Sequence, residues 1–469
     1  MTDSLLAFFT VIDNQGGVIV KDAPKFDLDL YIQSYRGRTR FDRLFLIGRS
    51  SVPLCVDALK AAVAEAKRGR DPQRYREAFE CLRIAAPSEP EAATFDKAWL
   101  DNIETANQNE TRRLLAELKG YKNNLIKESI RMGNEDLGKH YESIGDLNAA
   151  AEAYTRMRPD VSTPKQIIDV GRHLVSVALQ RREWGMITSH LSKMPSGTNS
   201  DEYEHMQPYI RIVMGLSMLG QERFPEAAAS FLAVDVNASP TSYNEVASPN
   251  DVAVYGGLLA LATMDRADLQ RKVLDAPDFR QFLEHAPHIR RAVAQFVNGR
   301  YSACISTLEA YRADYLLDIY LQKHIPKLYA EIRSKCIVQY MIPFSCVSLD
   351  TLEAAFSNPA QSIEDELFTM IQSGTLQARI NAIDKASTNT SSCERFACLV
   401  TTVSANPRVK LQSTALATAQ SYEKQAIDRL RRMSLAAADL ELKGQRKTST
   451  AFSGLGGVGD IIYDEATMV

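Results

Sequence analysis

The sequence predicts an all-α-dominated protein in which a superhelix of helical repeats runs into a winged helix and then into a long C-terminal helix. Three observations support this fold class. A ten-residue pattern recurs at intervals near 38 residues, residues 349–382 have the pattern of two short helices followed by a period-2 strand, and residues 412–443 carry one apolar stripe at helical spacing. A chain of 469 residues is long enough for two or more domains or for a repeat array.

The first 110 residues divide into an irregular N-terminus at 1–25 and a helical region at 26–110. The segment FDLDLYIQSY at 26–35 fits helical and strand spacings equally, so its state stays open. Amphipathic patterns then predict three consecutive helices, in TRFDRLFLIGRSS, VPLCVDALKAAVAEAKRG and PQRYREAFECLRIA. A long helix from about 110 to 132 follows, and one of its faces carries Leu114, Leu118, Tyr121 and Leu125.

Residues 111–250 contain a helix–turn–helix repeat. Each copy has a polar turn, then a bulky apolar anchor, then small residues that let two helices approach closely. Three anchors, Leu147, Trp184 and Phe224, lie in this region, and a fourth, Tyr301, lies beyond it. Successive anchors are 37, 40 and 77 residues apart, and the last interval is about two periods. This period is slightly longer than the roughly 34 residues of a tetratricopeptide repeat, so the region is predicted to be TPR-like. Such repeats bury their apolar faces only against neighbouring copies, which predicts a superhelix.

The domain at 251–405 is predicted to end in a winged helix at about 328–405. The residues Cys346 and Val347 fit a short first strand, and LDTLEAAF and SIEDELFTMIQSG fit two helices. Leu376, Ala378, Ile380 and Ala382 alternate with polar residues, as in a half-buried strand. The run RFACLVTTV at 395–403 is rich in β-branched residues and is predicted to pair with that strand.

The last part of the chain is predicted to be a C-terminal helix at 406–443 and a disordered tail at 444–469. An amphipathic helix outside a domain core needs partner helices, so we expect this one to join a helical bundle. The predicted partner interface therefore combines the strand edge with the helix stripe, and its residues are Leu376, Ala378, Ile380, Tyr422, Ile427, Leu430, Met433 and Leu440.

Bulk properties exclude several classes of protein. The net charge of -3 gives no global attraction to nucleic acid or to an anionic membrane. No run approaches the roughly 18 consecutive apolar residues that span a bilayer, so no membrane contact is predicted. The seven cysteines are irregularly spaced and most lie in apolar helical patterns, as expected of reduced core cysteines in a nuclear or cytoplasmic protein.

The sequence contains only incomplete matches to motifs for catalysis, cofactor binding or metal binding. GLGGVG at 454–459 matches a dinucleotide fingerprint, but only ten residues follow it, too few for the helix and strand that such a site needs. His285 and His288 form an H-x-x-H in which Pro287 intervenes and no further ligand set is evident. His140 and Glu142 resemble half of a zinc deaminase signature without its P-C-x-x-C. No catalytic residue, cofactor site or metal site is predicted.

A winged helix also raises the alternative of DNA binding. The helix in the recognition position, SIEDELFTMIQSG, has three acidic residues and no lysine or arginine. Phosphate backbones would repel it, so a protein interface is favoured over nucleic acid.

Four segments make the chain resemble the family of subunit one of the COP9 signalosome, over roughly residues 28–383 and the C-terminal helix. They are YKNNLIKESIRMGNEDLGKHYESIGDLNAAAEAYTRMR at 121–158, SPNDVAVYGGLLALATMDRADLQ at 248–270, YRADYLLDIYLQKHIPKLYAEIRSKCIVQY at 311–340 and SIEDELFTMIQSGTLQARI at 362–380.

The resemblance implies a helical-repeat superhelix capped by a PCI domain whose winged helix pairs with those of sister subunits. It implies a non-catalytic scaffold in a complex that removes the ubiquitin-like Nedd modifier from cullin-RING ubiquitin ligases, the catalytic site being on another chain. The implied partners are other PCI-domain subunits, a C-terminal helical bundle with them and, indirectly, the cullin-RING ligases. We expect a nuclear and cytoplasmic location.

The alternative is the corresponding PCI scaffold subunit of the proteasome regulatory lid, which is a paralogue. One departure from the family pattern is a polar insertion at 384–394. It makes the segment 384–406 longer than the usual wing.

Overall fold

The computed structural model describes residues 3–194, 201–344, 346–356, 362–381 and 398–401. The predicted insertion at 384–394, the C-terminal helix at 406–443 and the tail at 444–469 lie outside the described residues. The architecture is dominated by helices, as the sequence predicts, with one small sheet near the end of the described chain.

The N-terminal region is helical almost from its start. Its helices are α1 (Asp3–Asn14), α2 (Leu28–Gln33), α3 (Gly37–Ser50), α4 (Cys55–Arg68), α5 (Pro72–Ala85) and α6 (Pro90–Ala93). The prediction of an irregular stretch over 1–25 is therefore wrong for α1, whose Phe8, Phe9 and Ile12 are buried. The open segment at 26–35 contains α2, because the Asp27 carboxylate accepts a hydrogen bond from the Leu30 amide and caps that helix.

The single helix predicted for 110–132 is two helices, α7 (Lys97–Asn123) and α8 (Lys127–Ile144). The chain turns between them at Leu125, which adopts a positive φ of 55° and is 81% exposed. Leu114 and Leu118 are buried on α7 as expected. The predicted stripe fails at Leu125 because the turn takes that side chain off the helix face.

The repeat region consists of helix pairs, as the anchor spacing predicts. The helices that follow α8 are α9 (Leu147–Met157), α10 (Pro164–Gln180), α11 (Trp184–Leu191), α12 (Asp201–Gly220) and α13 (Phe224–Leu232). Each anchor is the first residue of the second helix of a pair, and Tyr301 holds the same position later in the chain. The sequence period therefore marks the start of the second helix in each pair.

The turns of these pairs share a backbone conformation. The residue two positions before each anchor has a positive φ, of 92° at Gly145, 60° at Arg182 and Glu222, and 75° at Gly299. Glycine adopts this conformation readily, whereas arginine and glutamate are strained there. The paired helices also pack closely, because a Cβ on Gly138 of α8 would collide with the Tyr154 ring of α9.

The second half continues with helices. They are α14 (Pro249–Thr263), α15 (Arg266–Leu269), a π-helical turn (Gln270–Leu274), α16 (Pro277–His285), α17 (Pro287–Val297), α18 (Tyr301–Glu309), α19 (Arg312–Leu316) and α20 (Ile325–Met341). Helix α14 is buried along every residue from Asp251 to Leu261, so its neighbours surround it. A helix that is apolar on all sides takes such a central position.

The described chain ends in the predicted winged-helix arrangement. Its elements are β1 (Cys346–Ser348), α21 (Leu349–Phe356), α22 (Ile363–Gln372), β2 (Ala378–Asn381) and β3 (Cys398–Thr401). The strands form an antiparallel sheet in the order β1-β3-β2, with Cys346 opposite Val400 and Ile380 opposite Leu399. The pairing predicted between segments 376–382 and 395–403 is observed for residues 378–381 and 398–401.

One hydrophobic core runs from Val175 in α10 to Ala378 in β2 without interruption. It includes side chains from the repeat helices, from α14 and from the winged helix. A second core, formed mainly by α1 to α5 with Ala92 of α6 and Leu100 of α7, holds the N-terminal region together. The winged helix is thus packed into the end of the helical array.

Candidate interaction surfaces

The predicted interface strand β2 lies at an edge of the sheet, since β3 occupies the central position. The side chains of Leu376 and Ala378 are buried in the core, and Ile380 is half-buried against it. These side chains therefore serve the domain itself, because the strand's alternation directs them inward. The edge of β2 therefore presents mainly main-chain groups to a partner. Its use as an interface stays a prediction. The interface residues Tyr422, Ile427, Leu430, Met433 and Leu440 lie outside the described residues.

Helix α22, which holds the recognition position of the winged helix, presents a mixed acidic and apolar surface. Glu364, Asp365 and Glu366 fill its first turn, and Glu366 is paired with Arg333 of α20 at 2.8 Å. Phe368 is 61% exposed on the same helix. The exposure of Phe368 was not predicted from the sequence, although its position outside the buried stripe of Ile363, Leu367 and Met370 indicates it.

A buried ionic junction joins the N-terminal helices to the second half of the chain. Arg43 of α3 is 0% exposed, and its guanidinium contacts Asp251 at 3.0 Å and Asp318 at 2.8 Å. The Tyr35 hydroxyl donates to both carboxylate oxygens of Asp251 at 2.8 Å, and the Tyr255 hydroxyl donates to Asp318 at 2.6 Å. We call these five side chains the Arg43 junction.

Electrostatics in the Arg43 junction follow from burial and from close opposite charges. Burial alone would lower the pKa of Arg43, but the charge of Asp251 and the surrounding tyrosines raise it well above its ordinary value. Burial raises the pKa of Asp251, and Arg43 opposes that rise. Burial likewise raises the pKa of Tyr35 and Tyr255 well above the usual value. A permanently charged arginine is therefore shared by two carboxylates in a water-poor interior.

Further contacts surround the Arg43 junction and fix the same interface. The Lys25 amide donates to Asp314 at 2.8 Å, and the Arg36 amide donates to the Asn244 carbonyl at 3.2 Å. This interface was not predicted from the sequence. Its signals were single charges within apolar segments, Arg43 in FDRLFLIG and Asp251 in NDVAVYGGLLALA.

The residues of the incomplete motifs lie apart from one another. His285 is exposed at the end of α16, whereas the His288 ring stacks on Tyr311 with centroids 4.0 Å apart. Within the described ranges, no three His, Cys, Asp or Glu side chains are grouped so that they could hold a metal ion. None of the described helices is both long and apolar enough to cross a membrane. The segment at 454–459 lies outside the described residues.

Comparison with protein families matches two parts of the chain. The model described as 26S proteasome subunit RPN7 matches residues 96–272, which cover α7 to the start of the π-helical turn. The PCI domain model matches residues 308–386, which include α20 and the winged-helix elements up to β2. These matches agree with a helical array followed by a PCI domain.

Several relatives that align over most of this chain share one name. A COP9 signalosome complex subunit 1 from Neurospora crassa is 55% identical over 100% of this chain and 98% of its own length. Subunits of the same name from Emericella nidulans and Arabidopsis thaliana are 46% and 36% identical over 91% and 76% of this chain and 85% and 81% of their own lengths. A 26S proteasome non-ATPase regulatory subunit 6 homolog from Arabidopsis thaliana is 22% identical over 61% of this chain and 74% of its own length. The chain therefore belongs to the family of COP9 signalosome complex subunit 1 proteins.

Proposed function

We propose that this chain is a non-catalytic scaffold subunit of the COP9 signalosome. In this role it supports removal of the ubiquitin-like Nedd modifier from cullin-RING ubiquitin ligases, while the catalytic site lies on another chain of the complex. The names of its relatives support membership in that complex. The proposed location is the nucleus and the cytoplasm, where such ligases and their modifier would be met.

The observation that carries the scaffold role is the continuous core from Val175 to Ala378. A scaffold must hold its binding surfaces at fixed separations, and a close-packed interior resists deformation. Arg333 adds a polar tie, since its guanidinium contacts Glu366 of α22 and also donates to the Phe356 carbonyl of α21. The winged helix is thus held to α20 by both apolar and ionic contacts.

Two surfaces are proposed to bind sister subunits. The first is the main-chain edge of β2, which would extend a partner's sheet as strand edges do. The second is the helix stripe predicted at 412–443, which would join a bundle of partner helices. Contact with cullin-RING ligases would then be indirect, through the assembled complex. The acidic first turn of α22 argues against a nucleic-acid partner.

Co-expression with sister subunits tests the assembly role. A chain lacking residues 412–469 is expected to fold, losing only the helix content of the removed segment, and to co-purify poorly with the complex. The matched full-length chain should co-purify at stoichiometric levels. Normal assembly of the shortened chain would refute the bundle role.

Two further measurements separate this proposal from its alternatives. The alternative is a scaffold subunit of the proteasome regulatory lid, which the match of residues 96–272 to a proteasome subunit model suggests. Co-sedimentation of the chain with proteasomes would support that alternative. Isopeptidase activity, or stoichiometric zinc, in the isolated chain would overturn the non-catalytic role.

A further inference from the structure

A cavity of about 590 Å³ lies between α3 and the first helices of the repeat pairs. Its volume is within the range of ordinary ligand pockets. The walls come from α3, α8, α10, α12 and three connecting loops, and their polar residues include Arg38, Asp42, Glu135, Glu142, Gln180 and Arg182. The first helices of stacked repeats commonly form the binding surface of such arrays.

Three buried polar atoms of this cavity have no hydrogen-bond partner among the described residues. They are Nε of Arg38, Nη1 of Arg182 and Oε1 of Gln180. A buried polar atom is costly to leave unpaired, and native structures contain few of them. Their occurrence on the walls of one cavity indicates that something binds there.

The side chains of Arg38 and Gln180 are already held in place by other contacts. Arg38 donates to Asp71 at 2.8 Å and to the Glu142 carbonyl at 3.0 Å, which leaves Nε free. Gln180 donates from Nε2 to the Glu142 carboxylate and to Ser176, which leaves Oε1 free. Binding would therefore cost little side-chain ordering.

Arg182 is the unpaired cation of the cavity. No described carboxylate lies within ion-pair distance of it. Its guanidinium lies over the Tyr320 ring at 4.5 Å and near the Trp184 ring at 5.8 Å. The residue also has the strained φ of 60° noted above, which a glycine would adopt without cost. An arginine at this position is unfavourable for the turn, so its side chain needs another reason to be there.

Three of the carboxylates that line the cavity have partners of their own. Glu142 accepts from Tyr154 and Ser176, Glu135 pairs with Arg131 and Lys139, and Asp42 pairs with Arg74. The buried polar atoms left without a partner are thus two cationic donors and one neutral acceptor. A multiply charged anion would present lone pairs to Gln180 Oε1 and lie close to Glu142, which is unfavourable. A single carboxylate accompanied by an N–H donor satisfies all three atoms.

We propose that this cavity binds an extended peptide segment of a partner protein through one acidic side chain. The Glu or Asp carboxylate would accept from Arg38 Nε and Arg182 Nη1, and a peptide N–H would donate to Gln180 Oε1. The inference does not depend on which complex contains the chain.

The test uses the full-length chain and an immobilised array of hexapeptides arranged in matched sets. The members of a set share the same randomly chosen flanking residues and differ at one central position, which carries Glu, Gln or Lys. Peptides with central Glu are expected to bind, and the tightest is then measured by fluorescence anisotropy. Arg182→Gly should weaken that binding about tenfold or more, as loss of a charged hydrogen bond predicts. The glycine suits the backbone, so this variant should fold. Arg181→Gln, at the neighbouring exposed residue outside the cavity, is the matched control and should bind normally.

Three results would overturn the proposal. One is the absence of binding above background, which would leave only water in the cavity. Another is equal binding of the Gln-centred and Glu-centred peptides, or unchanged binding by Arg182→Gly. The third is direct binding of inorganic phosphate at millimolar concentration to a chain that binds none of the peptides, which would identify a small-anion site instead.

Discussion

Replacing Arg43 by methionine should open the interface between the N-terminal helices and the rest of the protein. The substitution keeps an unbranched apolar stem but removes the cation that Asp251 and Asp318 share. Both carboxylates would then be buried with hydroxyl and amide donors only. Removing one partner of a buried ion pair is far more destabilising than replacing the whole group.

The loss of stability in Arg43→Met can be estimated in two ways. Breaking a buried ion pair costs about 3–5 kcal/mol. Alternatively, one carboxylate could take up a proton at pH 7, which costs about 4 kcal/mol from an ordinary Asp pKa near 3.9. The two values agree, so Arg43→Met should lose about 4 kcal/mol in the free energy of opening of α3.

Hydrogen exchange followed by mass spectrometry measures that local free energy without assuming two-state unfolding of a long chain. Amides of α3 should exchange much faster in Arg43→Met than in the wild type. Arg36→Met is the matched control, because the Arg36 side chain is exposed and only its main chain contacts Asn244. Adding Asp251→Asn and Asp318→Asn to Arg43→Met should restore a substantial part of the loss.

The reasoning would be refuted if Arg43→Met lay within about 1 kcal/mol of Arg36→Met, well below the cost of a broken buried pair. It would also be refuted if the triple variant were less stable than the single one. The second result would show that packing at Arg43, and not the unpaired carboxylates, limits the interface.

Three other outcomes are expected. Burial and the charges of Lys25 and Arg291 lower the pKa of His288 to about 4, so the protein should lose up to about 3 kcal/mol of stability as pH falls from 6.5 to 4 and none above 6.5. His288→Phe should flatten this pH profile of the melting temperature, whereas His285→Gln at the exposed neighbour should not. Gly138→Ala should lower the melting temperature through a loss of about 1–3 kcal/mol, since its Cβ meets the Tyr154 ring. Phe368→Glu should leave the melting temperature unchanged, because that side chain is 61% exposed, and a fall in co-purification with sister subunits would add α22 to the two proposed surfaces.

The repeat architecture was predictable because one physical constraint recurs along the chain. A bulky residue must begin the second helix of each pair, where it packs against the first, and Leu147, Trp184, Phe224 and Tyr301 all do so. Strands β2 and β3 were predictable for a similar reason, since alternation with a fixed inward face is a local pattern. Local periodicity thus carried most of the fold.

The features that were missed depend on exceptions to local rules. Leu125 interrupts an apolar stripe because the backbone, not the side chain, decides where α7 ends. Arg182 and Glu222 occupy turns that glycine fills at Gly145 and Gly299, so a search for glycine at the turn identifies only half of them. The cavity lined by Arg182 was not predicted, because the turn that places Arg182 there has no glycine to mark it.

The Arg43 junction could have been inferred by a global argument that the sequence supports. A helix apolar on every side must be central, and α14 carries Asp251 within its first turn. A carboxylate at the centre of a protein needs a cation or several donors. The cation must come from an apolar segment that can itself be buried, and FDRLFLIG places Arg43 in such a segment. Pairing isolated charges in apolar segments would therefore have joined residues 208 positions apart, and it would have predicted that the N-terminal helices fold back onto α14.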